Sequence, residues 1–295
     1  MSLRALRTLT AIAHRGTFSA AAEAVGLTQA AVSLQMKALE EELDTELFDR
    51  TGRSPRLNAS GRLALEKAEE ILALFDGLKD ELDPDRAVGG VLVVGVIPTA
   101  LTGPVPKALA ELKTEYPALQ VRVRSGISDH LAPLVEGGEL DAALISEPPY
   151  ATPAHFEWNP YDVEPFYVVG PRTAEPQDAQ ALFEHLPFIR FDKTAWTGAM
   201  VEGHLMARGV HPPEVVELDS LEAVLSLVEA GLGFGIAPFN AARLELAKQR
   251  FSVSPLGSPQ LQRRVGLYQR VHNPRRAFTE ALFGALRLVC EYNKN

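Results

Sequence analysis

Over the first sixty residues the apolar positions recur at helical spacing, in three short runs separated by glycine. Leu3, Leu6, Leu9, Ile12 and Ala13 form one stripe and predict a first helix that Gly16 ends. Ser19 is placed to cap a short alanine-rich second helix over 20–25, its hydroxyl accepting from a free backbone N–H. Gly26 supplies a tight turn with positive φ, and Thr28 caps a third helix that runs to about Leu43. Val25, Leu27, Val32, Met36 and Leu39 are expected to face inward, and Ala22 has to be small where two helices meet. Thr28, Gln29, Ala30, Ser33 and Lys37 are left facing out. A hairpin follows, with Leu47 and Phe48 packing back and Arg50, Arg53 and Arg56 around the Gly52 turn.

Three helices followed by an arginine-tipped hairpin predict a winged helix-turn-helix. The polar N-terminal face of the third helix suits base edges in a major groove, and the arginines suit phosphates or the minor groove.

A long helix is expected next, capped by Ser60 and reaching about Leu82. On it Ala64, Ala68, Ile71, Phe75, Leu78 and Leu82 are spaced four, three, four, three, four, which is a heptad seam. A seam outside two flanking domains predicts a partner helix and hence a homodimer; packing on the chain's own second domain is the alternative. Asp83-Pro84-Asp85 stops the helix and Gly89-Gly90 forms a hinge.

From Val91 strands and helices alternate. Strands are expected over 91–96, 119–124, 141–145, 165–169, 188–191, 215–218, 234–237 and 265–270, with helices between them and a closing helix over 275–292. This is α/β patterning, in which ligands sit beyond strand C-termini. Those ends carry Thr99, Thr102, Ser125, Ser128 and Ser146, and in the second half Arg190, Asp192, Thr197, Asp219 and Ser220. Any one hydroxyl also fits a plain helix cap. Their convergence is what suggests a cradle for a small polar or anionic ligand.

Composition narrows the reading. With 295 residues, 46% hydrophobic and 23% charged, the chain suits two or three globular domains. It has no long apolar run for a membrane and no secretory leader pattern, and its single cysteine, Cys290, forms no internal disulfide, so a cytoplasmic home is expected. The seven histidines show no metal-type pairing, and no nucleophile elbow appears. Gly231-Leu232-Gly233-Phe234-Gly235 precedes a strand, whereas a phosphate loop follows one. No enzyme activity, metal or cofactor is therefore expected. The net charge of −9 speaks mildly against nucleic acid, and Glu40, Glu41, Glu42, Asp44, Glu46 and Asp49 lie among the cations of the first sixty residues. On residues alone two other readings stay open. One is a ligand-binding protein or enzyme whose N-terminal helices only dimerise it; the other is a DNA-organising protein with little site preference.

Phe18-Ser19-Ala20-Ala21-Ala22 through Thr28-Gln29-Ala30-Ala31-Val32-Ser33, then Leu39-Glu40 and Leu47-Phe48-Asp49-Arg50, resemble the LysR-type transcriptional regulators. So do Ser220-Leu221-Glu222-Ala223-Val224, Val228-Glu229-Ala230-Gly231-Leu232-Gly233 and Ile236-Ala237-Pro238. The resemblance spans essentially the whole chain. It implies a DNA-binding domain over 1–58, a linker helix over 59–88 and an effector domain over 89–295. The effector domain would be like a type 2 periplasmic binding protein, with subdomain I over 91–161 and 267–295 and subdomain II over 162–266. It further implies a homotetramer on promoter DNA, modulated by a small molecule, with RNA polymerase as partner in an activator. By motif position Gln29 and Ser33 would touch bases and Arg53 phosphate or the minor groove, with Ser19 and Arg50 in the DNA-facing set. Leu34 departs from a common arginine. Effector positions would be Thr99, Ala100, Thr102, Ile127, Ser128, Ser146, Trp196, Thr197 and Gly198. Residues 192–200 hold no cysteine, so thiol sensing there is not expected.

Overall fold

A computed structural model describes residues 2–49, 56–82, 90–172 and 179–292. Two compact units emerge, Met1–Ala87 with Val271–Arg276, and Val88–Arg270 with Ala277–Asn295.

In the first unit α1 (Leu3–Arg15) starts on Ser2 and stops at Gly16, whose φ of +74° only glycine adopts freely. Helix α2 (Phe18–Val25) begins earlier than expected. Its cap is Thr17, whose hydroxyl accepts from Ala20 N, whereas Ser19 lies exposed inside the helix. Phe18 draws the start forward by packing edge-on against Phe48, at 5.1 Å between ring centres. Gly26 turns the chain at φ +68°, and Thr28 caps α3 (Gln29–Glu42) by accepting from Ala31 N. Leu9, Ile12, Ala22, Val32, Met36 and Leu39 are buried together. Leu27, expected inside, is 44% exposed because it sits in the turn rather than on the helix.

Strand β1 (Phe48–Asp49) pairs antiparallel with β2 (Arg56–Leu57). Arg50, Gly52 and Arg53 lie outside the described residues. Helix α4 (Ala59–Leu82) starts on Asn58 rather than Ser60. The Asn58 Oδ1 accepts from Gly61 N, and its amide nitrogen donates to the Glu46 carbonyl. The seam of α4 is also corrected. Ala64, Ala68 and Ile71 pack into the core of this same unit, and Ala68 is only 1% exposed. A heptad reads alike whether it faces a partner or a helix of its own chain, and here the N-terminal half faces its own. Phe75 is half-buried, Leu78 is exposed with Leu63 and Leu74, and the side chain of Leu82 lies outside the described residues.

The second unit is built on β3 (Gly90–Val96), β4 (Leu119–Ser125), β5 (Ala142–Ser146), β6 (Phe156–Pro171), β7 (Phe188–Phe191), β8 (Glu214–Leu218), β9 (Gly235–Pro238), β10 (Phe251–Pro255) and β11 (Gln262–Arg270). Its helices are α5 (Pro98–Leu101), α6 (Val105–Glu115), α7 (Ser128–Glu136), α8 (Ala179–His185), α9 (Trp196–Met206), α10 (Leu221–Glu229), α11 (Ala241–Arg250) and α12 (Arg276–Tyr292). The main sheet runs β10-β6-β11-β5-β3-β4 with β9 also on β6, while β7 and β8 pair in parallel. The 16-residue β6 joins two lobes. Its first part pairs with β11 and its second with β9 and β10. The expected strand over 165–169 is only its middle. Pro160 hid the rest, since proline cannot donate to a ladder. It is accommodated opposite Gly266, where the register shifts at a bulge. One core surrounds β3, β5 and α12, and two others lie on the β6–β9 side.

Candidate functional site

On the first unit the N-terminal face of α3 is open. Gln29, Ala30 and Ser33 are exposed, and so is Leu34, at 71%. Lys37 is exposed and pairs with Glu41 at 3.7 Å on the same helix, which answers part of its charge. The other face is fixed. Gln35 accepts from the Thr8 hydroxyl of α1, at 2.8 Å. Buried Glu40 accepts from Leu47 N at 2.8 Å and Phe48 N at 3.2 Å, and so ties the helix to β1. Sequence reasoning missed this contact, because a glutamate in an acidic run reads as solvated surface.

On the second unit a cleft lies between the lobes. The chain after β3, the N-termini of α7 and α9, and β11 supply its walls. Of the expected effector residues, Ile127, Ser128, Trp196 and Thr197 line it. Thr99 is one bond behind the wall, accepting from Arg263 Nη2 at 2.7 Å. Ser146 is buried and donates its N–H to Ser128 Oγ, at 3.1 Å, so it positions a lining residue. Ala100 is buried in the lobe's core. Thr102 is exposed and donates to the Pro98 carbonyl, closing α5. Gly198 serves packing: a Cβ there would stand 1.8 Å from the Asp192 carbonyl oxygen. The Thr194 hydroxyl and N–H both donate to Asp192 Oδ1, which shapes this turn and holds the Asp192 carboxyl below the usual range.

Arg263 is the residue the sequence did not reveal. It is almost fully buried in β11, and Nε and Nη2 both donate to Glu164 Oε2 of β6, at 2.8 and 2.6 Å. Nη1 donates to Thr197 Oγ1 at 2.9 Å. One guanidinium thus ties α5, α9 and β6 together at the cleft floor. The available signal was a charged residue in each of two apolar strand runs. Phe191, Leu221, Asp129 and Asp219 also line the cleft, of which only Asp219 stood among the expected strand ends. Arg190, another of those ends, is pinned behind the wall by Glu202 and Glu214. A second cavity, of about 250 Å³, is lined by Tyr167, Phe239, Leu244 and buried Cys290, among others. Among the described residues no cluster of three or more His, Cys, Asp or Glu could hold a metal, and no helix is long and apolar enough to cross a membrane.

Comparison with known proteins agrees with this arrangement. Residues 3–62 match the family model described as a bacterial regulatory helix-turn-helix protein of the lysR family. Residues 85–291 match the LysR substrate binding domain. The HTH-type transcriptional regulator IlvR of Caulobacter vibrioides is 32% identical over 298 residues, covering 99% of this chain and 98% of that protein. A probable RuBisCO transcriptional regulator of Cyanophora paradoxa is 30% identical, covering 83% of this chain and 78% of the relative. Among solved structures, a full-length OxyR variant from Pseudomonas aeruginosa superposes with a TM-score of 0.68 at 26% identity, covering 98% of this chain and 95% of that one. Full-length CbnR complexed with its target DNA shares the fold, with a TM-score of 0.54 at 20% identity, over 97% of this chain and all of that one.

Proposed function

The chain belongs to the LysR family of bacterial transcriptional regulators, and we propose that α3 reads a two-fold operator while a small molecule in the cleft of the second unit sets the outcome. It is a DNA-binding regulator with an effector domain and not an enzyme. The observation that carries the DNA reading is the exposed polar N-terminal face of α3 on a helix whose opposite face is buried. Gln29 and Ser33 contact base edges in this reading, while Thr28 and the helix N-terminus hold a backbone phosphate. Arg50 and Arg53 serve the wing.

Effector control follows from β6 and β11, which run through both lobes, with the cleft between residues 91–161 plus 267–295 and residues 162–266. Exposed Leu63, Leu74 and Leu78 on α4 support pairing with a second copy, and two such pairs make the homotetramer. The protein acts in the cytoplasm, at the nucleoid when on DNA, and engages RNA polymerase if it activates. Gel-shift titration on the DNA upstream of its own gene tests the reading. Specific binding is expected, and its absence with or without cleft ligands overturns it. Ser33→Ala relaxes base preference at one position by about 1–3 kcal/mol, whereas Arg53→Ala weakens every site and flattens the salt dependence.

A further inference from the structure

We propose that the effector is an α-amino acid with an apolar side chain, an inference that rests on the cleft being the effector site. Two helices begin at its wall, and neither N-cap residue, Ile127 of α7 nor Ala195 of α9, offers a side-chain acceptor. No N-cap side chain therefore answers the first-turn N–H groups of either helix, and those other than His130 N, which donates to the Ile127 carbonyl, favour an anion. The hydroxyls beside them are pre-set as donors. Ser128 Oγ already accepts from Ser146 N, and Thr197 Oγ1 already accepts from Arg263, so each has its hydrogen to give. This is an acceptor-seeking corner that suits a carboxylate.

The charge of the wall excludes a simple carboxylate. The cation of the cleft, Arg263, is neutralised by Glu164 through two hydrogen bonds. The other ionised side chains of the lining are both carboxylates, Asp129 and Asp219. The Oδ1 atom of Asp129 is shut off from solvent and has no hydrogen-bond partner among the described residues. A molecule with only negative charge would face two anions with no free cation to answer it. A ligand that carries an ammonium beside its carboxylate removes that conflict, because the ammonium turns to the aspartates while the carboxylate turns to the helix N-termini. The rest of the wall, including Ile97, Ile127, Phe191, Trp196 and Leu221, is hydrocarbon or aromatic. That surface takes a branched or aromatic side chain.

Calorimetry and thermal shift on the full-length protein test the proposal with three sets of probes. These are L-valine, L-leucine and L-phenylalanine; their des-amino acids; and the corresponding amines without the carboxylate. At least one amino acid is expected to bind and to raise the melting temperature, and to lose roughly tenfold or more in affinity when either charged group is removed. Asp129→Asn is expected to weaken the amino acid by a similar factor and to leave the des-amino acid no worse; Asp219→Asn serves if the first variant does not fold. A des-amino acid that binds as well as its parent overturns the zwitterion and leaves the cleft reading standing. Binding that neither aspartate substitution nor Trp196→Ala changes places the ligand elsewhere, and the cleft reading falls. No binding by any probe also overturns the proposal.

Discussion

Arg263 and Glu164 form an ion pair in which each side chain is 4% exposed, so both charges have left water. Such a pair adds little net stability, but removing one partner strands the other. Arg263→Met is therefore expected to lower stability in urea by about 3–5 kcal/mol, and Glu164→Leu in the same chain to restore much of the loss. If the double variant is as unstable as the single one, the pair is not the cause. Gly198 is equally constrained, and Gly198→Ala pushes the start of α9 off the Asp192 carbonyl. Its effect is expected in effector affinity as well as in melting temperature. At this scale the sequence was half legible. Ser128 and Thr197 could be placed because several hydroxyls converge at the strand ends, although any one of them also fits a helix cap, as Ser220 does. Arg263 could not, since its partners Glu164 and Thr99 stand 99 and 164 residues away.

Helix α3, strand β1 and helix α4 act as one clamped assembly. Glu40 receives the N–H groups of Leu47 and Phe48 where the wing strand begins, and Gly61 lets α4 approach to where a Cβ would stand 2.1 Å from the Leu47 carbonyl oxygen. Glu40→Ala orphans Leu47 N and Phe48 N, at about 1–3 kcal/mol each, and is expected to reduce DNA affinity with no loss of an exposed contact. Equilibrium unfolding and gel shift on the same variant check both effects. The two faces of α4 separate in the same way. Ala68→Leu overpacks the first unit and lowers its stability by about 1–3 kcal/mol. Leu74→Glu with Leu78→Glu is expected to leave the fold intact and to split the proposed oligomer, as light scattering would show. Helix existence was legible throughout this unit, from apolar stripes and from Gly16 and Gly26. Of the caps only Thr28 was, because Thr17 and Ser19, or Asn58 and Ser60, can serve alike until tertiary packing chooses between them.

Across the molecule, residues 1–58 carry seven Lys or Arg and seven Asp or Glu, so the whole net charge of −9 resides beyond them. One DNA-binding unit therefore has little long-range attraction to a duplex, and affinity is expected to depend on joining copies. Affinity for a half-site is expected to fall with salt about half as steeply as for a full site, each neutralised phosphate contributing a log–log slope of about −0.9. Equal slopes would show that one copy already makes all the contacts. The α/β class and most strand positions were legible from alternation, while the full length of β6 was hidden by its prolines. The arrangement around Arg263 also bears on re-engineering. The residues that hold the lobes in register, Glu164, Thr99 and Thr197, are all tied to Arg263, whereas Phe191, Trp196 and Leu221 face the cleft and pack into the cores behind it. A library that exchanges those three for apolar residues of similar volume and leaves the arginine network alone is expected to keep the fold while changing what the proposed effector cleft admits, which makes the chain a starting point for sensors of new compounds.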